Sequence, residues 1–412
     1  MVRLIFTIFL ISLILSLDFY IWNAFKSDVS SLFVKWAYWL ITVFCITSIF
    51  YPMLNPATTT YPGYLVVLFG LVFSIFAAKL LASLPLFIDD LIRLIKYVSS
   101  LFSTNESSFS GEKISRIDFF KRSAVVLGAA AFSTLTYGIV VGRYNFKKHF
   151  VNLKLKNYNS NKELKIVQIS DLHLGSFQRV DKLNEAVELI NNENPDLIFF
   201  TGDLVNNHSS EAIPFIDTIK KLKATFGKYS VLGNHDYADY LGLDKSKEED
   251  RKLWLENHEK MIDVHKKSGF KLLLNEHEQL EINNQKINVV GVENWGDGRF
   301  SKYGDLTKAM ANMDESFPTI LLSHDPTHWQ NKALKQPKKV DLQLSGHTHG
   351  MQFGIEIGGI KWSPSQWKYK YWAGLYEQKD SYLYVNRGIG HLGYPGRVGI
   401  LPEISVININ KI

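Results

Sequence analysis

The side chains best suited to chemistry lie in five short loops, each of which follows a β-rich run. The loops are Ser170-Asp171-Leu172-His173, Gly202-Asp203, Gly233-Asn234-His235-Asp236, Ser323-His324-Asp325 and Gly346-His347-Thr348-His349. Ligands of α/β sheets bind beyond the carboxyl ends of the strands. Loops that meet there would bring carboxylates, imidazoles and one amide to a single place.

This donor set is typical of borderline divalent metals such as Mn²⁺, Fe²⁺, Co²⁺ and Zn²⁺. The chain contains a single cysteine, Cys45, which excludes a thiolate zinc cluster. The donors outnumber the needs of one ion, so the sequence predicts two metals that share a bridging carboxylate. Such a pair clamps phosphate oxygens and lowers the pKa of a shared water, which supplies a hydroxide nucleophile near neutral pH.

Each loop alone has a simpler explanation, because a lone histidine is usually structural and Gly-Asp after a strand is usually a turn. The joint occurrence of all five, in order, is specific. It resembles the calcineurin-like metallophosphoesterase family over roughly residues 164–412. The resemblance implies an α/β fold, namely a two-sheet αββα sandwich.

The resemblance also implies residue roles. The first ion would be bound by Asp171, His173 and His349. The second ion would be bound by Asn234, His324 and His347, and Asp203 would bridge the two ions. His235 is implied to be catalytic, as a proton donor to the leaving oxygen or a hydrogen-bond donor to the phosphate. Asp236 would orient His235 and hold it protonated. The alternative for His235 is a supporting contact to a ligand.

A narrower resemblance is to the membrane-anchored phosphodiesterase branch, which includes UDP-2,3-diacylglucosamine pyrophosphatase-like and transmembrane members. It depends on the stretch 346–352 and on the tail around residues 386–404. In that tail, Arg387 and Arg397 are predicted to hold a substrate phosphate, with a tight turn and surface arginines as the alternative. The aromatic stretch 362–376 is predicted either to contact a base, acyl chains or a membrane interface, or to belong to the domain core and a β-hairpin.

The N-terminal third is far more apolar than the rest. Four runs approach the ~20 residues that span a bilayer, namely Leu4–Trp22, Leu32–Phe50, Tyr64–Leu84 and Ser123–Val141. They predict a transmembrane region of about four helices over residues 1–142, a linker over 143–163 and a phosphoesterase domain over 164–412. Asp18 and Lys79 lie inside these runs, so each marks either the end of a run or an internal partner. They are interpreted as snorkelling to an interface, with a functional ion path as the alternative.

The net charge of +6 is concentrated in clusters that flank the apolar runs, which favours a membrane over nucleic acid as the partner. The basic loop between the third and fourth runs predicts a cytoplasmic position for that loop. The expectation is therefore a multi-pass protein of the cell membrane with an exoplasmic catalytic domain. Basic residues after the fourth run, such as Arg143 and Lys147, favour the opposite orientation.

Short β-rich runs, among them Leu164–Ile169 and Thr319–Leu322, alternate with amphipathic helical patterns. This alternation predicts an α/β domain with partly parallel sheets. The predicted function is hydrolysis of a phosphodiester or pyrophosphate bond in a lipid-linked or nucleotide-lipid substrate, by attack of a hydroxide that bridges two metals. A protein phosphatase or phosphomonoesterase is the alternative enzyme. A non-catalytic membrane scaffold that retains the fold is the alternative from another class.

Overall fold

The computed structural model describes residues 2–54, 63–101 and 116–411. The chain divides into two compact units, Met1–Ile139 and Val140–Ile412. Lys113, which contributes to the predicted basic loop, lies outside the described residues.

The N-terminal unit is helical. Its helices are α1 (Val2–Phe25), α2 (Leu32–Leu54), α3 (Gly63–Ser100) and α4 (Arg116–Val140). Among the described residues, three segments are long and apolar enough to cross a membrane, namely Thr7–Phe25, Gly63–Ser100 and Arg116–Tyr144, and α2 adds the shorter apolar stretch Leu32–Ser48. Apolar segments of this kind form helices because a helix pairs its backbone N–H and C=O groups internally, whereas the hydrocarbon of a bilayer offers them no hydrogen-bond partners.

Asp18 of α1 and Lys79 of α3 form an ion pair, with Nζ 2.5 Å from Oδ1. The Asp18 side chain is buried, and the Thr42 hydroxyl donates a hydrogen bond of 2.7 Å to its Oδ2. The structure favours an internal partner over snorkelling for these two residues, because each charge is paired with the other between two helices.

The C-terminal unit contains two six-stranded sheets and a separate two-stranded hairpin. Its strands are β1 (Lys147–Lys154), β2 (Leu164–Ile169), β3 (Leu197–Phe200), β4 (Lys228–Ser230), β5 (Lys271–Leu272), β6 (Glu276–Ile282), β7 (Gln285–Gly291), β8 (Thr319–Leu322), β9 (Leu342–Ser345), β10 (Ile355–Ile357), β11 (Ile360–Trp362), β12 (Gly374–Gln378), β13 (Ser381–Val385) and β14 (Glu403–Asn410). The first sheet has the order β1-β14-β2-β3-β4-β5, and the second has the order β12-β13-β9-β8-β7-β6.

Alternating side chains place an apolar layer on each face of a strand. In β3, Leu197 and Phe199 join the cluster between the two sheets, whereas Ile198 and Phe200 join the cluster beneath the outer helices. The helices of this unit are α5 (Val180–Asn191), α6 (Ile216–Ile219), α7 (Glu248–Lys267), α8 (Leu306–Ala309) and α9 (Thr327–Asn331). The predicted αββα sandwich is confirmed.

The segment predicted as a linker is partly folded into the first sheet. Residues 147–154 form β1, which pairs in parallel with β14 from Lys147 opposite Glu403 to Lys154 opposite Asn410. Leu153 and Leu155 are buried between the sheets. The linker prediction for this stretch is wrong, because Val151 and Leu153, at alternate positions of β1, pack against the cluster between the sheets despite the surrounding lysines.

Candidate metal centre

The loops that carry the predicted ligands all follow the carboxyl ends of parallel strands. Three follow β2, β3 and β4 of the first sheet, and two follow β8 and β9 of the second. The side chains converge as two groups, with all donor atoms of a group within 4.8 Å of one another. These groups are Asp171, His173 and His349, and Asp203, His324 and His347.

In the first group, His349 Nε2 lies 3.0 Å from His173 Nε2 and 3.1 Å from Asp171 Oδ1. Two donors that are each about 2.1 Å from one ion lie about 3 Å from each other. The spacing of the three donors therefore fits a single cation between them.

In the second group, His324 Nε2 lies 3.1 Å from Asp203 Oδ2 and 3.2 Å from His347 Nδ1. Asp203 Oδ2 also lies 3.6 Å from His173 Nε2, so this carboxylate lies between the two groups. Asn234 Oδ1 is buried and lacks a hydrogen-bond partner among the described residues. A buried amide oxygen without a partner is costly unless a cation is its partner.

Hydrogen bonds determine which imidazole nitrogen faces the centre. His173 Nδ1 lies 3.1 Å from Asn206 Oδ1, and His324 Nδ1 lies 2.8 Å from the Thr201 carbonyl oxygen. Because those oxygens only accept hydrogen bonds, each Nδ1 carries a hydrogen, and each Nε2 is the nitrogen that faces the centre.

His347 is oriented in the opposite sense. Its Nε2 lies 3.4 Å from Asp325 Oδ2 and 2.9 Å from the Tyr369 hydroxyl. The hydrogen bond with the Tyr369 hydroxyl occupies Nε2, which leaves Nδ1 to face His324.

Asp203 and His324 set the charge balance of the centre. Burial opposes ionisation of Asp203, but the neighbouring His324 holds the pKa of this carboxyl well below its usual value. Burial also opposes protonation of His324, yet Asp203 raises the pKa of that imidazole to about 10. A cation bound here would compete with the proton on His324 for the same carboxylate.

The backbone of the ligand loops is strained. A positive φ, between 46° and 72°, occurs at five of the predicted ligands, namely Asp171, His173, Asp203, His347 and His349. Non-glycine residues rarely adopt this conformation, and strain of this kind concentrates at functional sites. The loops also approach closely, because a Cβ atom on Gly346 would lie 2.2 Å from Asp171 Oδ2.

Similarity to known proteins decides the family. A model of a probable calcineurin-like phosphoesterase transmembrane domain matches residues 2–143, and a calcineurin-like phosphoesterase model matches residues 164–351. The metallophosphoesterase YkuE of Bacillus subtilis is 31% identical over 318 residues, which cover 73% of this chain and 99% of that relative. This chain belongs to the calcineurin-like metallophosphoesterase family.

Two further relatives agree with this assignment. A metallophosphoesterase of Aquifex aeolicus is 30% identical over 291 residues, which cover 69% of this chain and 97% of that protein. The transmembrane protein with metallophosphoesterase domain of Danio rerio is 29% identical over 331 residues, which cover 77% of this chain and 68% of that protein. The chain is thus a membrane-associated metallophosphoesterase, and its family implies hydrolysis of phosphoric esters.

His235 of the metallophosphoesterase lies beside the first group, with its ring centroid 5.0 Å from that of His173. The Asn206 carbonyl oxygen, 2.6 Å from Nδ1, orients the ring. Asp236 does not orient it, contrary to the prediction. The Asp236 carboxylate instead accepts backbone N–H groups of Gly233, at 2.9 Å, and Asp203, at 2.9 Å, so it ties two ligand loops together.

Arg387 and Arg397 are both buried. Arg387 forms ion pairs of 2.5 Å with Glu403 and with Glu356. Arg397 donates to backbone carbonyls, including that of Arg387 at 2.7 Å, and its Nη2 lies 3.2 Å from His349 Nδ1. Both guanidinium groups thus have partners inside the domain, and their contact with a substrate phosphate stays a prediction.

Sequence reasoning missed Asn206, Tyr240 and Tyr369. The Tyr240 hydroxyl accepts a hydrogen bond of 2.8 Å from Asn234 Nδ2, and its ring lies 4.5 Å from the ring of His235. The sequence offered a hint of Tyr369, which lies in the aromatic stretch, and of Asn206, which lies three residues after the predicted ligand Asp203. Tyr240 had none, because it lies in a charged insertion with no motif.

Proposed function

We propose that this metallophosphoesterase uses two divalent metal ions, such as Mn, Fe, Co or Zn, to hydrolyse a phosphodiester or pyrophosphate bond of a lipid-linked or nucleotide-lipid substrate. The proposed ligands are Asp171, His173 and His349 for the first ion, Asn234, His324 and His347 for the second, and Asp203 as the bridge. The observation that carries the proposal is the convergence of two donor groups with Asp203 between them.

The residues fit such ions. Three imidazoles, those of His173, His324 and His347, each hydrogen-bond one nitrogen to an oxygen atom and turn the other nitrogen inward, as metal-binding histidines do. The unpartnered Asn234 Oδ1 provides a further inward oxygen. Two divalent cations at these donors would neutralise charge on the phosphoryl oxygens and lower the pKa of water to generate the nucleophile.

The protein's own contribution to bond cleavage comes from His235. Its Nδ1 is committed to the Asn206 carbonyl oxygen, so Nε2 is the nitrogen available to the substrate. In the imidazolium form, Nε2 transfers its proton to the leaving oxygen as the bond to phosphorus breaks. His235 and Tyr240 are only partly buried, which gives a substrate access at this side.

The lipid-linked substrate class is supported by the apolar helices of the N-terminal unit, which confine the enzyme to a membrane. We place the catalytic unit on the exoplasmic side of the cell membrane, because Arg93, Lys96 and Lys121 flank the loop between α3 and α4. In sealed vesicles, we expect protease added to the cytoplasmic side to leave the C-terminal unit intact. Protease added to the opposite side should cleave it. The reverse pattern would reject this orientation.

The enzymatic test uses the full chain in detergent with added Mn²⁺. Bis-p-nitrophenyl phosphate should be hydrolysed faster than p-nitrophenyl phosphate. Asp203→Asn should abolish most turnover, whereas the exposed carboxylate variant Asp217→Asn should retain it. His235→Gln should lower kcat by about 10²–10⁴-fold, with His277→Gln in β6 as the matched histidine control.

Each other outcome selects an alternative. Faster hydrolysis of the monoester would favour a phosphomonoesterase or protein phosphatase. Undiminished activity in Asp203→Asn would reject the mechanism. The absence of activity on both substrates, together with the absence of bound metal, would favour a non-catalytic scaffold.

A further inference from the structure

The hairpin formed by β10 and β11 projects from the C-terminal unit. Ile355 pairs with Trp362 and Ile357 pairs with Ile360, and the two strands form a sheet separate from both large sheets. The turn is Gly358-Gly359, with φ of 58° and 86°, as a tight two-residue turn requires. A Cβ atom on either glycine would have no heavy atom within 4 Å, so the tip of the hairpin stands in open space.

The polar face of this hairpin is turned toward the protein. Glu356 forms an ion pair of 2.5 Å with the buried Arg387. The Lys361 ammonium contacts the Ala373 carbonyl oxygen and lies 4.7 Å from the Trp372 ring centroid. Charged side chains of both strands therefore anchor the hairpin inward.

The apolar face is turned outward, because side chains alternate along each strand. Ile355, Ile357 and Ile360 are 50%, 75% and 67% exposed. Trp367, which is 76% exposed, continues this surface through its contact with Trp362, at 6.0 Å between ring centroids. These residues, Ile355, Ile357, Ile360, Trp362 and Trp367, are called the hairpin patch. A strand pair of a water-facing domain has the opposite arrangement, and an exposed apolar patch marks an interaction surface.

The hairpin patch flanks the candidate metal centre. The Ser363 hydroxyl, next to the end of β11, donates a hydrogen bond of 2.6 Å to the carbonyl oxygen of Gly350. Gly350 follows His349 directly in the chain. The next segment returns to the centre, because the Tyr369 hydroxyl contacts His347 Nε2 at 2.9 Å.

Basic side chains adjoin the same surface. Lys368 and Lys370 are exposed and lie one and three residues after Trp367 in the chain. The Lys368 ammonium lies 4.8 Å from the Phe300 ring centroid, and that ring lies 4.7 Å from the ring of His347. Exposed tryptophan beside lysine is the combination that suits the boundary between acyl chains and anionic headgroups.

We infer that the hairpin patch inserts into the interface of a lipid bilayer, where Lys368 and Lys370 contact anionic headgroups. Acyl chains would remove the apolar side chains of the outward surface from water. A bilayer is also a partner that is always adjacent to a chain with helices able to cross a membrane. The insertion would bring headgroups to the rim of the metal centre. It does not depend on catalysis, so its failure would leave the proposed hydrolysis untouched.

The test uses the full chain with Cys45→Ala, reconstituted into vesicles that contain phosphatidylglycerol. Ile357→Cys is labelled with an environment-sensitive fluorophore, and Ile213→Cys, at a site 63% exposed in the same unit, is the matched control. We expect a blue shift of emission at position 357 and quenching by lipids with nitroxide-labelled acyl chains. Position 213 should show neither effect. Ile360→Cys provides a second reporter if Ile357→Cys does not fold.

Equal emission and equal quenching at positions 357 and 213 would overturn the inference. A blue shift without lipid quenching that increases with the density of protein in the vesicles would also overturn it, in favour of a second copy as the partner. Lys368→Glu with Lys370→Glu should reduce quenching in anionic vesicles but not in neutral phosphatidylcholine vesicles. Unchanged quenching in anionic vesicles would reject the headgroup contact.

Discussion

At the scale of single residues, the metal centre depends on side chains that hold the ligands as much as on the ligands themselves. Residue types and order led to the prediction of seven donors, because each lies in a recognisable loop, and six of them lie in the two groups. Their supporting contacts depend on backbone conformation and could not be predicted in the same way. Asp236 shows this, since its neighbour in sequence is His235 but its partners are backbone N–H groups of Gly233 and Asp203.

Asn206 provides a test of this support. Its Oδ1 holds the Nδ1–H of His173, so Asn206→Ala should free the ring to rotate and lower metal affinity by about 10–100-fold. The exposed Asn161→Ala is the control and should bind metal as the native chain does. Calorimetric titration of Mn²⁺ into metal-stripped protein measures both. Equal affinities in the two variants would contradict a positioning role for Asn206.

At the scale of elements, apolar runs predicted the buried strands well. The predicted runs Leu164–Ile169 and Thr319–Leu322 coincide with β2 and β8. The edge strand β1 was missed, because only some of its residues contact the core and lysines interrupt its pattern. Its pairing with β14 joins segments far apart in sequence, and a local pattern carries no information about that register.

The contribution of β1 to the fold can be measured. Leu153 is buried between the sheets, so Leu153→Ala should lower the free energy of unfolding by about 2–5 kcal/mol. Phe150 of the same strand is 61% exposed, and Phe150→Ala should change that free energy by less than about 0.5 kcal/mol. Denaturant unfolding followed by tryptophan fluorescence compares them. A similar loss in both variants would indicate that β1 does not pack as described.

The Asp18–Lys79 pair is the corresponding test for the helical unit. Asp18→Ala leaves the Lys79 charge without its partner and should destabilise the helices by about 3–5 kcal/mol. Replacement of both residues, Asp18→Leu with Lys79→Met, should restore most of that stability, since apolar pairs often replace buried ion pairs at little cost. Thermal unfolding in detergent measures the difference. A double variant as unstable as Asp18→Ala would contradict the claim that the unpaired Lys79 charge causes the destabilisation.

At the scale of the whole molecule, the chain combines a helical unit and an αββα catalytic unit, and the family models match these two parts separately. The sequence predicted a transmembrane region and a phosphoesterase domain, because hydropathy falls sharply after the fourth apolar run and the histidine-bearing loops follow it. From the sequence, the region of the hairpin patch was recognisable only by its neighbouring aromatic residues. Its inverted faces became evident from the placement of Glu356 and Lys361 against the domain.

The central claim is that two donor groups, linked by Asp203, hold two cations. Elemental analysis of the full chain after incubation with Mn²⁺ or Zn²⁺ and removal of free metal tests it most directly. We expect two ions per native chain and per Asp217→Asn chain, and a clear loss in Asp203→Asn. Fewer than one ion per native chain, or the same metal content in Asp203→Asn as in Asp217→Asn, would contradict the account.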